Sequence, residues 1–260
     1  MQIVYFLFPL ATDMMQLDTY SETPLETSKI TKVAPVTSHI SPWLATLAYP
    51  LGRRLVIPLY FGKIEITGQE NLPTTGPVIL APTHRSRWDA LLVPYASGRS
   101  VTGRDLRFMV SVDEVRGLQG WFIQHLGGFP VDTKHPAITT LRHGVEILQQ
   151  KETLVIFPEG GNLRENRGCQ LNQLQPGLAR LALQAESSVP NLGIKIVPIN
   201  IWYSNPTVPW RCHVKICISS PLVVADYNTG SVKQNAKQLT ADLEAALKLS
   251  DRPKLEPPKS

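Results

Sequence analysis

Cysteine is scarce in this chain: Cys169, Cys212 and Cys217 are the only three among 260 residues. An odd number without paired spacing excludes a disulfide framework and points to a reducing compartment, with the three read as buried structural thiols. They make no zinc site either, because Cys212 and Cys217 fall in one expected strand with no second cluster beside them. Charged residues are few, at 18%, and 26 Lys and Arg against 21 Asp and Glu leave a net charge of +5. There is no run of basic residues and no zinc-finger or RNA-binding signature, so nucleic acid is not an expected partner. The positive balance suits lipid headgroups, phosphorylated substrates or an acidic carrier protein. A Gly-x-Ser-x-Gly elbow is missing, which excludes an ordinary serine hydrolase. A Gly-rich phosphate loop and a dinucleotide fingerprint are missing as well. His39, His125, His135, His143 and His213 lack metal-ligand spacing and read as structural or surface residues; no metal and no cofactor is expected.

Long hydrophobic runs are also lacking. Residues 3–11 are strongly apolar but about half as long as a bilayer span. No Lys or Arg precedes them, so a secretory signal is not expected. Residues 40–62 form a second apolar stretch, interrupted by Pro50, Gly52 and Pro58 and carrying Arg53 and Arg54. These breaks exclude a spanning helix and leave two readings: interfacial segments lying on a membrane, or a helix pair facing the core. Residues 12–39, rich in Ser, Thr and Glu, read as a mobile linker, and residues 250–260, with Pro253, Pro257 and Pro258, as a disordered tail. The expected organisation is therefore an apolar N-terminal segment with a flexible linker (1–39), an interfacial segment (40–62), a folded domain (63–249) and the tail (250–260).

What is present has ample material for a core, 43% apolar. Strands are expected at 78–81, 106–112, 129–131, 154–157, 194–201 and 213–218. Helices are expected at 89–96, around Trp121, from Pro136, at 177–185 and from about Ser231. The helix after Pro136 places Ile138, Leu141, Val145 and Leu148 on one stripe, and the last helix turns Val232, Ala236, Leu239, Leu243 and Leu247 inwards. This alternation predicts an α/β fold, a mostly parallel sheet flanked by helices. Ligands in such sheets sit beyond the carboxyl ends of the strands, which is where chemistry is to be sought.

Two segments stand there. After the strand at 78–81 come Thr83, His84, Arg85, Ser86, Arg87, Trp88 and Asp89. With His84 in the loop and Asp89 in the first helical turn, the carboxylate reaches the ring, fixes its tautomer and leaves the other nitrogen as a general base. Ser86 and Asp89 equally form a capping-box pattern, in which Asp89 only finishes a helix. After the strand at 154–157 come Pro158, Glu159, Gly160 and Gly161, a sharp turn whose backbone N–H groups suit an anion. Arg164 and Arg167 follow, either as phosphate ligands or as solvated loop charges.

Together these segments resemble the glycerolipid acyltransferase family. His84 to Asp89 resembles its His-x-x-x-x-Asp motif, and Phe157 to Gly160 its Phe-Pro-Glu-Gly motif. Gly128 to Asp132 resembles the middle block and Val197 to Asn200 the last; Gly68 to Pro73 resembles the lead-in, and Pro176 to Arg180 the segment after the Glu motif. The resemblance covers roughly residues 60–222 in the family's order, and the 1-acylglycerol-3-phosphate acyltransferases of bacterial and plastid type match best. It implies the glycerol-3-phosphate acyltransferase-like fold and a membrane-associated enzyme facing a reducing, cytoplasm-like compartment. His84 is then the base that deprotonates the acceptor hydroxyl, with Asp89 orienting it. The hydroxyl attacks an acyl thioester directly, on acyl carrier protein or coenzyme A as co-substrate. The resemblance makes lysophosphatidate the acceptor and membrane lipids the surroundings, and it assigns Glu159, Gly160, Arg87, Lys134, Arg164 and Arg167 to substrate binding. Two departures touch the acceptor. Thr133 follows Asp132 where the family has arginine, and Gly161 and Asn162 replace its Thr-Arg. Either Arg164, Arg167 or Lys134 takes over the phosphate, or the acceptor is another lysophospholipid; the rival of another class is a non-catalytic lipid-binding protein of the same fold.

Overall fold

The computed structural model describes residues 38–115, 117–132, 136–160 and 171–249. The apolar stretch after residue 40 is helical: α1 (Pro42–Leu51) leads through a π turn (Gly52–Val56) into α2 (Ile57–Tyr60). Pro42 opens α1 where a missing N–H is tolerated, and Pro50 and Pro58 flank the wider turn. Then follow β1 (Ile64–Thr67), β2 (Val78–Pro82), α3 (Asp89–Ser97), α4 (Arg99–Thr102) and β3 (Leu106–Ser111). The chain continues through α5 (Gly117–His125), β4 (Gly128–Val131), α6 (Ile138–Gln149), β5 (Thr153–Val155) and α7 (Gly177–Ser188). It ends with β6 (Lys195–Tyr203), β7 (Val214–Ile218), β8 (Leu222–Val223) and α8 (Val232–Leu249).

The strands form one sheet in the order β1-β7-β6-β2-β5-β3-β4, with β8 paired to β6. Strands β6, β2, β5, β3 and β4 run parallel, while β7 and β8 run against β6. Side chains alternate between the faces of a strand. On β2, Ile79 and Ala81 enter one core with Leu148, Leu181, Leu239 and Leu243 from α6, α7 and α8. Val78 and Leu80 enter the other with Ile57, Phe61, Trp88 and Leu92, so both faces are covered. The N-terminal helices and the catalytic candidates share this second face.

The expected mostly parallel, helix-flanked sheet is present, with several local differences. The two short strands β1 and β8 add to the six expected. The strand expected at 154–157 ends at Val155, and the one expected from His213 begins at Val214. Ile138 and Val232 are exposed rather than inward, because each sits in the first turn of its helix beyond the layer that would cover it. His143, on the polar side of its helix, is half-buried and packs edge-on against Phe129. Within 40–62 one side faces the core and the other does not: Leu44, Ala45, Ile57 and Phe61 are buried, while Trp43, Leu47, Leu55 and Leu59 are exposed. No helix among the described residues is long and apolar enough to cross a membrane. Residues 1–37 and 250–260, and with them the expected linker and tail, lie outside the described residues.

Candidate active site

Three neighbouring strands, β6, β2 and β5, deliver the site at their carboxyl ends. Thr83 closes β2 by accepting the Ile201 N–H at 3.0 Å and donating its own N–H to the Ile199 carbonyl at 2.9 Å, which ties the following loop to β6. His84 comes next. Its Nδ1 lies 3.1 Å from Asp89 Oδ2, and its side chain is 23% exposed. Asp89 is wholly buried at the start of α3. Oδ2 also accepts the N–H groups of Arg85 at 2.6 Å and Ser86 at 2.8 Å, and Oδ1 accepts the Tyr203 phenol at 2.5 Å. The other partners of Asp89 are donors, so Nδ1 carries a hydrogen toward it, and in the neutral ring the lone pair is then on Nε2. The helix has Trp88 at its N-cap and no side-chain cap, so Asp89 does not merely finish it: the oxygen that takes the loop N–H groups also takes the imidazole.

Tyr203, the last residue of β6, escaped the sequence reading. Burial first, and then the neighbouring Asp89 carboxylate, push its phenol well above the ordinary value. It therefore stays protonated and acts as a standing donor to Asp89.

The second loop leaves β5 beside the first. Phe157 stacks on His84 with ring centroids 4.1 Å apart. Glu159 is buried and turned inwards: both carboxylate oxygens lie 2.7 Å from Arg85 Nη1. They also accept the N–H groups of His84 at 3.2 Å and Asn172 at 3.0 Å. Arg85, likewise missed from sequence, thus binds the two loops through a bridge whose side chains are 11% and 0% exposed. Gly160 takes a left-handed turn, φ +58°, and a Cβ there would meet Gln175 at 3.0 Å. Its N–H turns back to the Phe157 carbonyl at 3.3 Å.

The structure brings His84, Asp89, Glu159 and Gly160 together. Arg87 points outwards to Glu114 at 3.2 Å and is half exposed. Lys134, Arg164 and Arg167 lie outside the described residues, as do Thr133 and Asn162. Among the described residues no three His, Cys, Asp or Glu side chains converge on a metal position.

Residues 63–202 match the family model described as Acyltransferase. A Bacillus subtilis 1-acyl-sn-glycerol-3-phosphate acyltransferase is 23% identical over 192 residues, covering 72% of this chain and 87% of the relative. A Streptococcus pneumoniae protein of the same name is 24% identical over 130 residues, covering 49% of this chain and 42% of its own. The mouse mitochondrial glycerol-3-phosphate acyltransferase 1 is 27% identical over 157 residues, 56% of this chain but 18% of that protein. The chain thus spans less than half the length of two of these three relatives. In fold it is similar to the crystal structure of the 1-acyl-sn-glycerophosphate acyltransferase of Thermotoga maritima, with a TM-score of 0.59 over 82% of both chains at 18% identity.

Proposed function

The chain belongs to the acyltransferase family, and from that premise we propose that it acylates the free hydroxyl of 1-acylglycerol-3-phosphate to form phosphatidate. The observation that carries this reading is the hydrogen-bonded line Tyr203, Asp89, His84 at the strand ends, whose outer end is the part-exposed His84 imidazole. The names of the bacterial relatives support the acceptor.

In this mechanism His84 Nε2 takes the proton as the acceptor oxygen attacks the thioester carbonyl carbon. The C–O bond forms, the C–S bond breaks, and the proton passes on to the departing thiolate. Asp89 keeps the imidazole in the tautomer that accepts and stabilises its charged form. The acyl group arrives on acyl carrier protein or coenzyme A, and no covalent acyl-enzyme is needed. Arg87, from the loop after β2, and Arg164, Arg167 or Lys134 hold the acceptor phosphate. The exposed side of α1 and α2 seats the enzyme on a membrane surface.

Acyl transfer from a labelled thioester to lysophosphatidate tests the reading. Wild-type protein is expected to form phosphatidate, and His84→Ala to lose about 100- to 10,000-fold in rate. A loss below about threefold removes His84 from the role of base. One observation favours a second acceptor: Thr133 and Asn162 stand where the family carries arginines. Faster transfer to another lysophospholipid in the same assay selects that reading.

A further inference from the structure

The connection between β6 and β7, residues 204–213, is built in an unusual way. Val208 and Arg211 both adopt left-handed backbone, φ +49° and +63°, and a β-branched residue rarely does so. Tight contacts hold this shape. Tyr60 donates its hydroxyl to the Val208 carbonyl at 2.8 Å, and Arg211 donates its N–H to the Tyr60 carbonyl at 2.7 Å. The result is a tip that presents Trp210, 63% exposed, with its indole N–H fixed to the Leu59 carbonyl at 3.1 Å. The Arg211 guanidinium lies 5.6 Å from the indole centroid.

Trp210 thereby extends the exposed apolar side of the N-terminal helices, which carries Trp43, Leu47, Leu55 and Leu59. The two segments that form this side carry bases and no acid of their own. No Asp or Glu occurs between Glu26 and Glu65, nor between Glu186 and Asp226, the two stretches that meet at Leu59 and Trp210. Arg54 and Arg211 are exposed, and Lys63 pairs with Glu65 at the border. The position also matters. Tyr203 pairs with Val214, so the tip projects from the end of the sheet where Tyr203 meets Asp89. One layer further in, Tyr60 stacks on Trp88 at 4.1 Å, next to Asp89 in the chain.

We propose that the 204–213 tip is a second lipid-contacting element, which inserts Trp210 at the surface of an anionic bilayer beside the N-terminal helices and lays Arg211 among the headgroups. An amphipathic indole belongs at that depth, and a flanking cation on segments that carry bases and no acid of their own favours a negatively charged lipid surface. The tip would set the mouth of the site against the bilayer that holds an acyl-chain acceptor. This deepens the proposed function, on which its purpose rests, but its test does not depend on that reaction.

The test is co-sedimentation of the full chain with vesicles of phosphatidylcholine alone or with added phosphatidylglycerol. Arg211→Asn, which tolerates the left-handed backbone, is expected to lose about fivefold in partitioning onto the anionic vesicles and nothing on the neutral ones. Trp210→Ala is expected to lose binding to both. Val232→Ala, an exposed apolar side chain on α8, serves as the control and stays at wild-type level. Transfer to a short-chain, water-dispersed lysophosphatidate is expected to persist in both tip variants, which also shows them folded. Wild-type sedimentation by both tip variants overturns the inference. So does unchanged vesicle binding with loss of affinity for an acidic acyl carrier protein, which would make the tip a protein-docking site. A wild-type chain without transferase activity whose tip variants still lose vesicle binding keeps this inference and sinks the proposed reaction.

Discussion

Asp89 has no contact with solvent and accepts from two loop N–H groups, one imidazole and one phenol. The phenol is the one partner that can be removed with little change in shape. Tyr203→Phe leaves Oδ1 buried without a donor, which costs on the order of 1–3 kcal/mol. Part of this falls on stability and part on the imidazolium that Asp89 supports. The expected outcome is a lower kcat with the KM for acceptor unchanged, and a lower midpoint in urea. If kcat is unaltered while the midpoint falls, Tyr203 is a packing residue only.

Between elements, the decisive link is Arg85 with Glu159, which joins the loop after β2 to the loop after β5. Removing the carboxylate from this buried pair leaves Arg85 with its bond to the His84 carbonyl but without its counter-charge. Glu159→Ala is therefore expected to destabilise the fold by about 3–5 kcal/mol in urea denaturation. Glu159→Gln, which keeps an acceptor of similar shape, is expected to lose clearly less; equal losses would mean that the negative charge, and not the acceptor or its shape, holds the two loops together. The sequence disclosed this link only in part. His84 and Asp89 were legible because five positions bring them together across a loop and a first helical turn. Glu159 was legible as a chemical group at a strand end, but its inward direction depends on Arg85, 74 positions away. Tyr203 lies 114 positions from Asp89, and no local pattern announces a residue that only the order β6-β2-β5 places there. The strands of the central sheet were legible as apolar runs between helices. Strand β1, Ile64–Thr67, alternates apolar with polar residues instead of forming an apolar run, and β8 is only two residues long. Ile138 and Val232 continue a helical stripe past the layer beneath it, and periodicity carries no information about where that layer stops.

For the whole molecule, the sheet separates two cores. The one formed with α6, α7 and α8 contains Leu243, and the other contains Trp88 and the N-terminal helices. A cavity in the first should weaken the fold without disturbing the catalytic loop. Leu243→Ala is expected to cost about 2–5 kcal/mol in urea, while the rate at low temperature stays near wild type. A comparable drop in rate would show that the cores are coupled through the sheet. The N-terminal helices raise a different matter at this scale, one of phase. Ala45 and Ile57 are both buried, and Trp43 with Leu55 and Leu47 with Leu59 are both exposed, although each pair is twelve positions apart. At about 100° per residue, an unbroken α-helix would set such partners about 120° apart. The π turn at Gly52–Val56 absorbs one residue and returns them to within about 20°. A single widened turn thus works as a vernier, keeping the inward and outward sides of two helical segments aligned by the number of residues between them rather than by their kind.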